Sequence, residues 1–158
     1  AYTDETYGVE ASTTGNIYGI YDMSGGCYEY TAAYVNNSYI IDTGSRYYGY
    51  GEELIKGEAY TKDVYVDGTT IGQTDSYANN YTANKGKYGD AVWETSNTEN
   101  SSSGSWHQDY SRFPVTSHPS FLRGGYCGTT TGAGAFYFIS GTGAAGVNAS
   151  FRPVLAIL

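Results

Sequence analysis

The chain has 158 residues, and eight Lys and Arg against sixteen Asp and Glu give a formal net charge of −8. That balance speaks against nucleic acid and against an anionic membrane surface, both of which are held by clustered basic residues. No run approaches the roughly 20 apolar residues that a membrane helix needs, so membrane insertion of this segment is not expected. The length suits one domain with its own core. Tyrosine (19 residues) and glycine (22) are unusually frequent. Residue 1 is Ala, and AYTDETYG carries no element start, so a processed or truncated chain with a missing upstream part is expected.

In chain order, residues 16–41 (NIYGIYDMSGGCYEYTAAYVNNSYII) predict two strands around a tight turn, punctuated by Gly25-Gly26 and Asn36-Asn37. GEELIKGEAY is a short helical candidate interrupted by Gly57. VYVDGTTIG at 64–72 alternates around Asp67-Gly68, a hairpin signal. A second helical candidate lies near Lys87–Thr95, and residues 96–105 (SNTENSSSGS) read as a polar loop. The chain then passes Pro114 and Pro119 into a strand. An aromatic strand follows between the Gly-rich turns of GTTTGAGAFYFISGTGAAG, and SFRPVLAIL closes as a buried strand. Neither a repeat nor a linker is visible. Strands outnumber helices, and the predicted class is α+β, β-rich, with short helices and long loops.

Several chemistries lack their signatures. Trp106-His107-Gln108-Asp109 has no metal spacing such as HExxH, and no G-x-S-x-G elbow exists. GTGAAG at 141–146 lacks a βαβ context and reads as a hairpin turn. Cys27 and Cys127 allow one disulfide or two buried thiols. A surface rich in Tyr, Ser, Thr, Asn and Gly and poor in Lys points to an extracellular or cell-surface location, where a disulfide survives. Asn36, Asn80, Asn100 and Asn148 each begin an N-x-S/T sequon.

The stretch GIYDMSGGCYEY places Asp22 and Glu29 beside a small-residue turn, among aromatic residues. A carboxylate on such a strand needs a cation, a partner or an exposed face. Taken with FLRGGYC and the terminal SFRPVL, this stretch resembles the formylglycine-generating-enzyme (sulfatase-modifying factor) family, a branch of the C-type-lectin-like fold. Tyr28 and Tyr30 stand where the family has tryptophans, Gly26 where it has Asn, and Ser150-Phe151-Arg152 where it has Gly-Phe-Arg. The resemblance implies a calcium site with side-chain oxygens from Asp22 and Glu29 and backbone carbonyls from Gly25 and Cys27. Calcium takes six to eight hard oxygens, and a glycine turn lets carbonyls point inward. The alternative is that Asp22 caps the turn and Glu29 pairs with Arg123 or Arg152.

The family's enzymes hold copper(I) on two neighbouring cysteines, as soft thiolates suit that ion. Here Cys127 falls too soon after Arg123-Gly124-Gly125 and Cys27 sits in the calcium turn, so no catalytic activity is expected. The fold would instead bring Cys27 and Cys127 together as a disulfide, worth about 4–5 kcal/mol in the chain-entropy model. Binding relatives use the face formed by the RGG strand and the strand after it. That implies a site from Trp106, Asp109, Tyr110, Tyr126, Thr129, Thr130, Tyr137 and Asn148. Tyr supplies rigid contact area there, and Ser, Gly and Asn supply hydrogen bonds. Alternation would turn Phe136 and Phe138 inward and Tyr137 outward, with Trp93 and Phe151 also in the core. The expected function is an adhesin or lectin-like module of a bacterial or phage surface protein, recognising a glycan or protein receptor. The alternative is a structural subunit of a surface filament, pilus or phage tail, packed against neighbouring copies.

Overall fold

The structure is a computed structural model that describes residues 26–36, 55–59, 62–69 and 75–151. Its centre is a mixed sheet of seven strands in these residues. They are β1 (Tyr28–Val35), β2 (Asp63–Tyr65), β3 (Asn100–Ser101), β4 (Ser111–Arg112), β5 (Ser120–Arg123), β6 (Phe138–Gly141) and β7 (Ala149–Phe151). The order is β2-β1-β5-β6-β4-β3, and β7 lies on the same edge of β1 as β2, beside residues 28–30. β1 and β5 run antiparallel, with Glu29 opposite Arg123 and Tyr30 opposite Leu122, and the register shifts before Tyr34 meets Ser120. The helix α1 (Tyr77–Ala83) packs on the sheet's core side. The coarse class, α+β and β-rich, therefore stands.

The period-2 alternation of the strands separates two faces. Phe121, Arg123 and Phe138 share one face, since Arg123 pairs with Phe138 in register. This is the core side, where Ala33, Val35, Tyr65, Tyr81, Val92, Phe113, Phe121 and Phe138 form one cluster. Its rings meet edge-on, Tyr65 on Phe113 at 5.3 Å and Phe113 on Phe121 at 5.2 Å, the geometry aromatic quadrupoles favour. Trp93 packs against this cluster and stacks on Tyr81 at 3.9 Å.

α1 begins where Ser76 accepts the Asn79 N–H at 3.2 Å, an ordinary N-cap. Its buried face is largely polar. Asn80 accepts the Gly68 N–H at 2.8 Å and donates to the Pro114 carbonyl at 3.0 Å. Asn84 bonds both the N–H and the C=O of Val66, each at 2.8 Å, as a neighbouring strand would. The two amides, one turn apart, thus satisfy the backbone that leaves β2.

Several expectations change here. Among the described residues Asp67-Gly68 forms no hairpin tip: Asp67 accepts the Thr69 N–H at 2.8 Å in a local turn, and Gly68 presses against the α1 backbone, leaving no room for a Cβ, while residues 70–72 of the predicted hairpin lie outside the described residues. No helix covers Lys87–Thr95, because Gly89 (φ 101°) and Ala91 (φ 62°) put left-handed residues in the middle of the segment. Residues 141–146 do not join a hairpin, because β6 pairs with β5 and β4 while β7 pairs with β1. Phe151 is 77% exposed rather than core. Tyr137 is buried and Phe136 only half-buried, while Phe138 is core as expected. Of the helical candidate GEELIKGEAY, Ile55 and Lys56 are helical and the helix ends at Gly57; its other half, the parts of the predicted 16–41 strand pair before Gly26 and after Asn36, and the terminal strand beyond Phe151 lie outside the described residues.

Candidate functional site

The Arg123-Gly124-Gly125 run explains how the chain leaves the sheet. Gly124 (φ 82°) and Gly125 (φ 75°) are both left-handed, a conformation that costs glycine nothing. The chain turns into a 3-10 segment, Cys127–Gly132, where Thr129 Oγ1 accepts the Tyr126 N–H at 3.1 Å. Arg123 stays in the sheet. Its guanidinium lies over Phe121 and Phe138, and Nη2 donates to the Asp90 carbonyl at 2.8 Å. Burial lowers its pKa, against the charges of Tyr65, Asp90, Asp63 and Glu94, which hold the proton on. Tyr65 donates its hydroxyl to Asp90, and burial first, then that carboxylate, pushes the phenol pKa well above its usual value. Lys62, Asp63, Tyr65, Asp90, Phe121 and Arg123 line a cleft of about 380 Å³ that sequence reasoning missed. The acids that face Arg123 are spread from Asp63 to Glu94, so no local motif reveals them.

Two loops meet where β6 begins, at Phe138, which lies in register with Arg123. The turn Trp106–Gln108 is tightened by left-handed backbone at His107 (φ 59°) and Gln108 (φ 68°), while Trp106 N–H donates to the Thr95 carbonyl at 2.8 Å. Asp109 is buried and accepts the Phe136 N–H at 2.9 Å, which ties this loop to the segment before β6. Gly134 passes so close to that carboxylate that a Cβ would displace it. Phe136 is thereby held under two rings, with His107 stacked flat at 5.8 Å and the Trp106 indole edge-on at 5.4 Å. Trp106 remains 57% exposed.

Next to this platform lies a layer of tyrosines. Tyr110 donates its N–H to Gly132 and accepts from Phe138 N–H, and its ring sits 5.8 Å from Tyr137. Tyr137 is the floor: Tyr28 stacks on it at 5.9 Å, Tyr126 lies 4.8 Å from Tyr28, and the Tyr137 hydroxyl meets the side chains of Tyr28 and Thr129. Burial, then the Tyr28 contact, raises the Tyr137 pKa far above that of a free phenol.

The fold therefore brings together Trp106, Asp109, Tyr110, Tyr126, Thr129 and Tyr137, with Asp109 and Tyr137 as buried supports rather than contact groups. Thr130 is exposed on a strained backbone (φ 58°, ψ −131°). Asn148 is exposed and lines a groove with Tyr30, Leu122 and Ile139 that continues from Tyr28. Of the calcium set, Asp22 and Gly25 lie outside the described residues. Cys27 is exposed, and Glu29 is half-buried in register with Arg123. Among the described residues no three His, Cys, Asp or Glu side chains come close enough to hold a metal. Cys27 and Cys127 are free, exposed thiols on adjacent backbones, because the Cys127 N–H donates to the Gly26 carbonyl at 3.2 Å. The sequons also divide. Asn80 is fully buried with its amide engaged, whereas Asn36, Asn100 and Asn148 are exposed.

No protein-family model matches the chain, and comparison with curated proteins and with solved structures finds no match either.

Proposed function

We propose that this chain is a non-catalytic, extracellular ligand-binding module of a bacterial or phage surface protein, with a C-type-lectin-like arrangement of its α+β fold. Its ligand is a glycan, bound on the aromatic face between Trp106 and Tyr137. One observation carries this reading: an exposed indole is held rigid by Phe136 and a buried carboxylate, on loops with left-handed backbone at His107, Gln108 and Thr130. Non-glycine residues in that region cost roughly 1–3 kcal/mol each and persist where the surroundings enforce them, commonly at ligand-binding loops. A fixed aromatic face stacks on the C–H surface of a sugar and loses little entropy in doing so.

The test is a glycan-array screen of the purified chain and of Trp106→Ala, with calcium and again with EDTA. Saturable binding lost at least tenfold in Trp106→Ala supports the site. Binding that also needs calcium supports Asp22, Gly25, Cys27 and Glu29 as its ligands; binding that survives EDTA removes calcium from recognition. Binding unchanged by Trp106→Ala overturns the placement, and silence across the array overturns the glycan.

A filament or tail subunit is the second reading, favoured by a different feature. Val147 is 98% exposed and Phe151 77% exposed, at and just before β7, and among the described residues no strand pairs with that strand's outer edge. Unpaired edges template association with another copy. This reading predicts concentration-dependent assembly in sedimentation without any ligand, and a monomer at all concentrations counts against it.

A further inference from the structure

Arg112 is the one Lys or Arg between Lys87 and Arg123 in an acidic chain. Among the described residues no acid forms an ion pair with it. Its position is nonetheless fixed. The guanidinium carbon lies 5.2 Å from the Tyr77 ring centre and 5.7 Å from that of Tyr110, so the planar group is flanked by two aromatic rings. Nε donates to Asn100 Oδ1 at 3.3 Å, and the Tyr110 hydroxyl donates to the same oxygen at 3.2 Å. Asn100 Oδ1 is thus committed as an acceptor, and the residue is exposed, so its amide N–H groups are accessible to a ligand. Tyr110 also touches Tyr137, so the stack continues the tyrosine layer of the candidate site.

A guanidinium has five N–H donors in a rigid fork, and the two terminal nitrogens match the two oxygens of a carboxylate. Holding Nε and stacking the plane fixes the fork before a ligand arrives, so little side-chain freedom is lost on binding. The net charge of −8 repels an acidic ligand at long range, but at ordinary salt that repulsion is screened beyond about 10 Å. Contact at Arg112 then decides.

We propose that Arg112 reads the carboxylate of an acidic sugar of the uronic-acid type, with Asn100 donating to a neighbouring hydroxyl and the Tyr77 and Tyr110 rings flanking the sugar. The proposal rests on the glycan-binding reading above and names the ligand class for the same face.

The experiment is calorimetric titration of the full chain with three matched oligosaccharides: an oligogalacturonide, the same oligosaccharide with its carboxyls reduced to alcohols, and a sulfated counterpart. Each is run against wild type, Arg112→Gln and Arg112→Lys. A charge-assisted contact predicts that wild type prefers the uronide to its reduced form by about tenfold or more. Arg112→Gln should abolish that preference, so that the uronide and its reduced form bind with equal affinity. Arg112→Lys should keep only part of it, because an ammonium cannot reproduce the fork. An unchanged preference in Arg112→Gln overturns the assignment, as does equal binding of the uronide and its reduced form by wild type. Stronger binding of the sulfated compound overturns the carboxylate. If wild type binds none of the three, the acidic-sugar inference falls, whereas the glycan reading falls only if the wider array is silent too. Unchanged thermal unfolding of Arg112→Gln separates loss of binding from loss of fold.

Discussion

Asn80 shows how much of this fold hangs on single polar side chains. It has no exposed surface, and its amide spans α1, the turn after β2 and the segment before β5. Asn80→Ala would leave the Gly68 N–H and the Pro114 C=O buried without those partners, at about 1–3 kcal/mol for each group. Urea unfolding should therefore show a loss of about 3 kcal/mol, and a loss under 1 kcal/mol would mean that water replaces the amide. The cysteines invite a different experiment. The hydrogen bond from the Cys127 N–H to the Gly26 C=O sets the two free cysteines on neighbouring backbones. Exchange with an oxidised small-molecule disulfide would join Cys27 and Cys127 and release two small thiols. The expected product is a monomer lighter by two hydrogens, in which neither residue takes an alkylating label. Labelling of both after complete exchange would show that the side chains point apart.

Asp109 and Gly134 link the loop elements into one platform. Asp109→Ala removes the acceptor for the Phe136 N–H and frees Phe136, the ring on which Trp106 and His107 rest. The expected outcome is a stability loss of about 1–3 kcal/mol. Trp106 fluorescence should show greater quenching by iodide; an unchanged quenching constant would mean that the indole is held by something else. These elements also mark what could be read from the chain alone. Tyr28–Val35 and Ser120–Arg123 announce themselves by aromatic and apolar residues between turn signals, whereas the grouping of Trp106, Tyr110, Tyr126 and Thr129 was implied only by the resemblance, because no local motif links these positions. α1 was hidden because its inward face is Asn80, Tyr81 and Asn84, and amides that bond backbone leave no hydrophobic period. The segment near Lys87–Thr95 looks helical by composition, yet the Gly89 and Ala91 backbone is set by tertiary contacts around Asp90, including those to Tyr65 and Arg123. Tyr137 was turned the wrong way because alternation fixes opposite faces but not which face is covered: both neighbours' faces are, one by the core and the other by Tyr28 and Tyr110. Arg112 did carry a signal, as an isolated cation between Tyr110 and Phe113.

Across the whole molecule the same side chain that builds the face also sets a limit on pH. Burial raises the pKa of Tyr30, Tyr34, Tyr65, Tyr81 and Tyr137, and for Tyr65 and Tyr137 nearby Asp90 and Tyr28 add to it. A raised phenol pKa means that the folded state keeps a proton that the unfolded chain gives up near pH 10. The stability tied to these protons is fully present below about pH 10 and is lost as pH rises from the unfolded pKa towards the folded ones. Because several groups titrate in the same direction, the loss should be steep, about 1.4 kcal/mol per pH unit for each phenol still protonated in the fold. Urea midpoints should be flat from pH 7 to about 9 and then fall sharply by about pH 11. Tyr65→Phe deletes one such proton and the hydroxyl's bond to Asp90. It should be less stable than wild type at neutral pH, yet show a shallower alkaline slope, by about one proton. Parallel slopes for the two proteins would mean that the Tyr65 phenol ionises freely in the fold, and that its burial beneath Lys87 and Phe121 opens in solution.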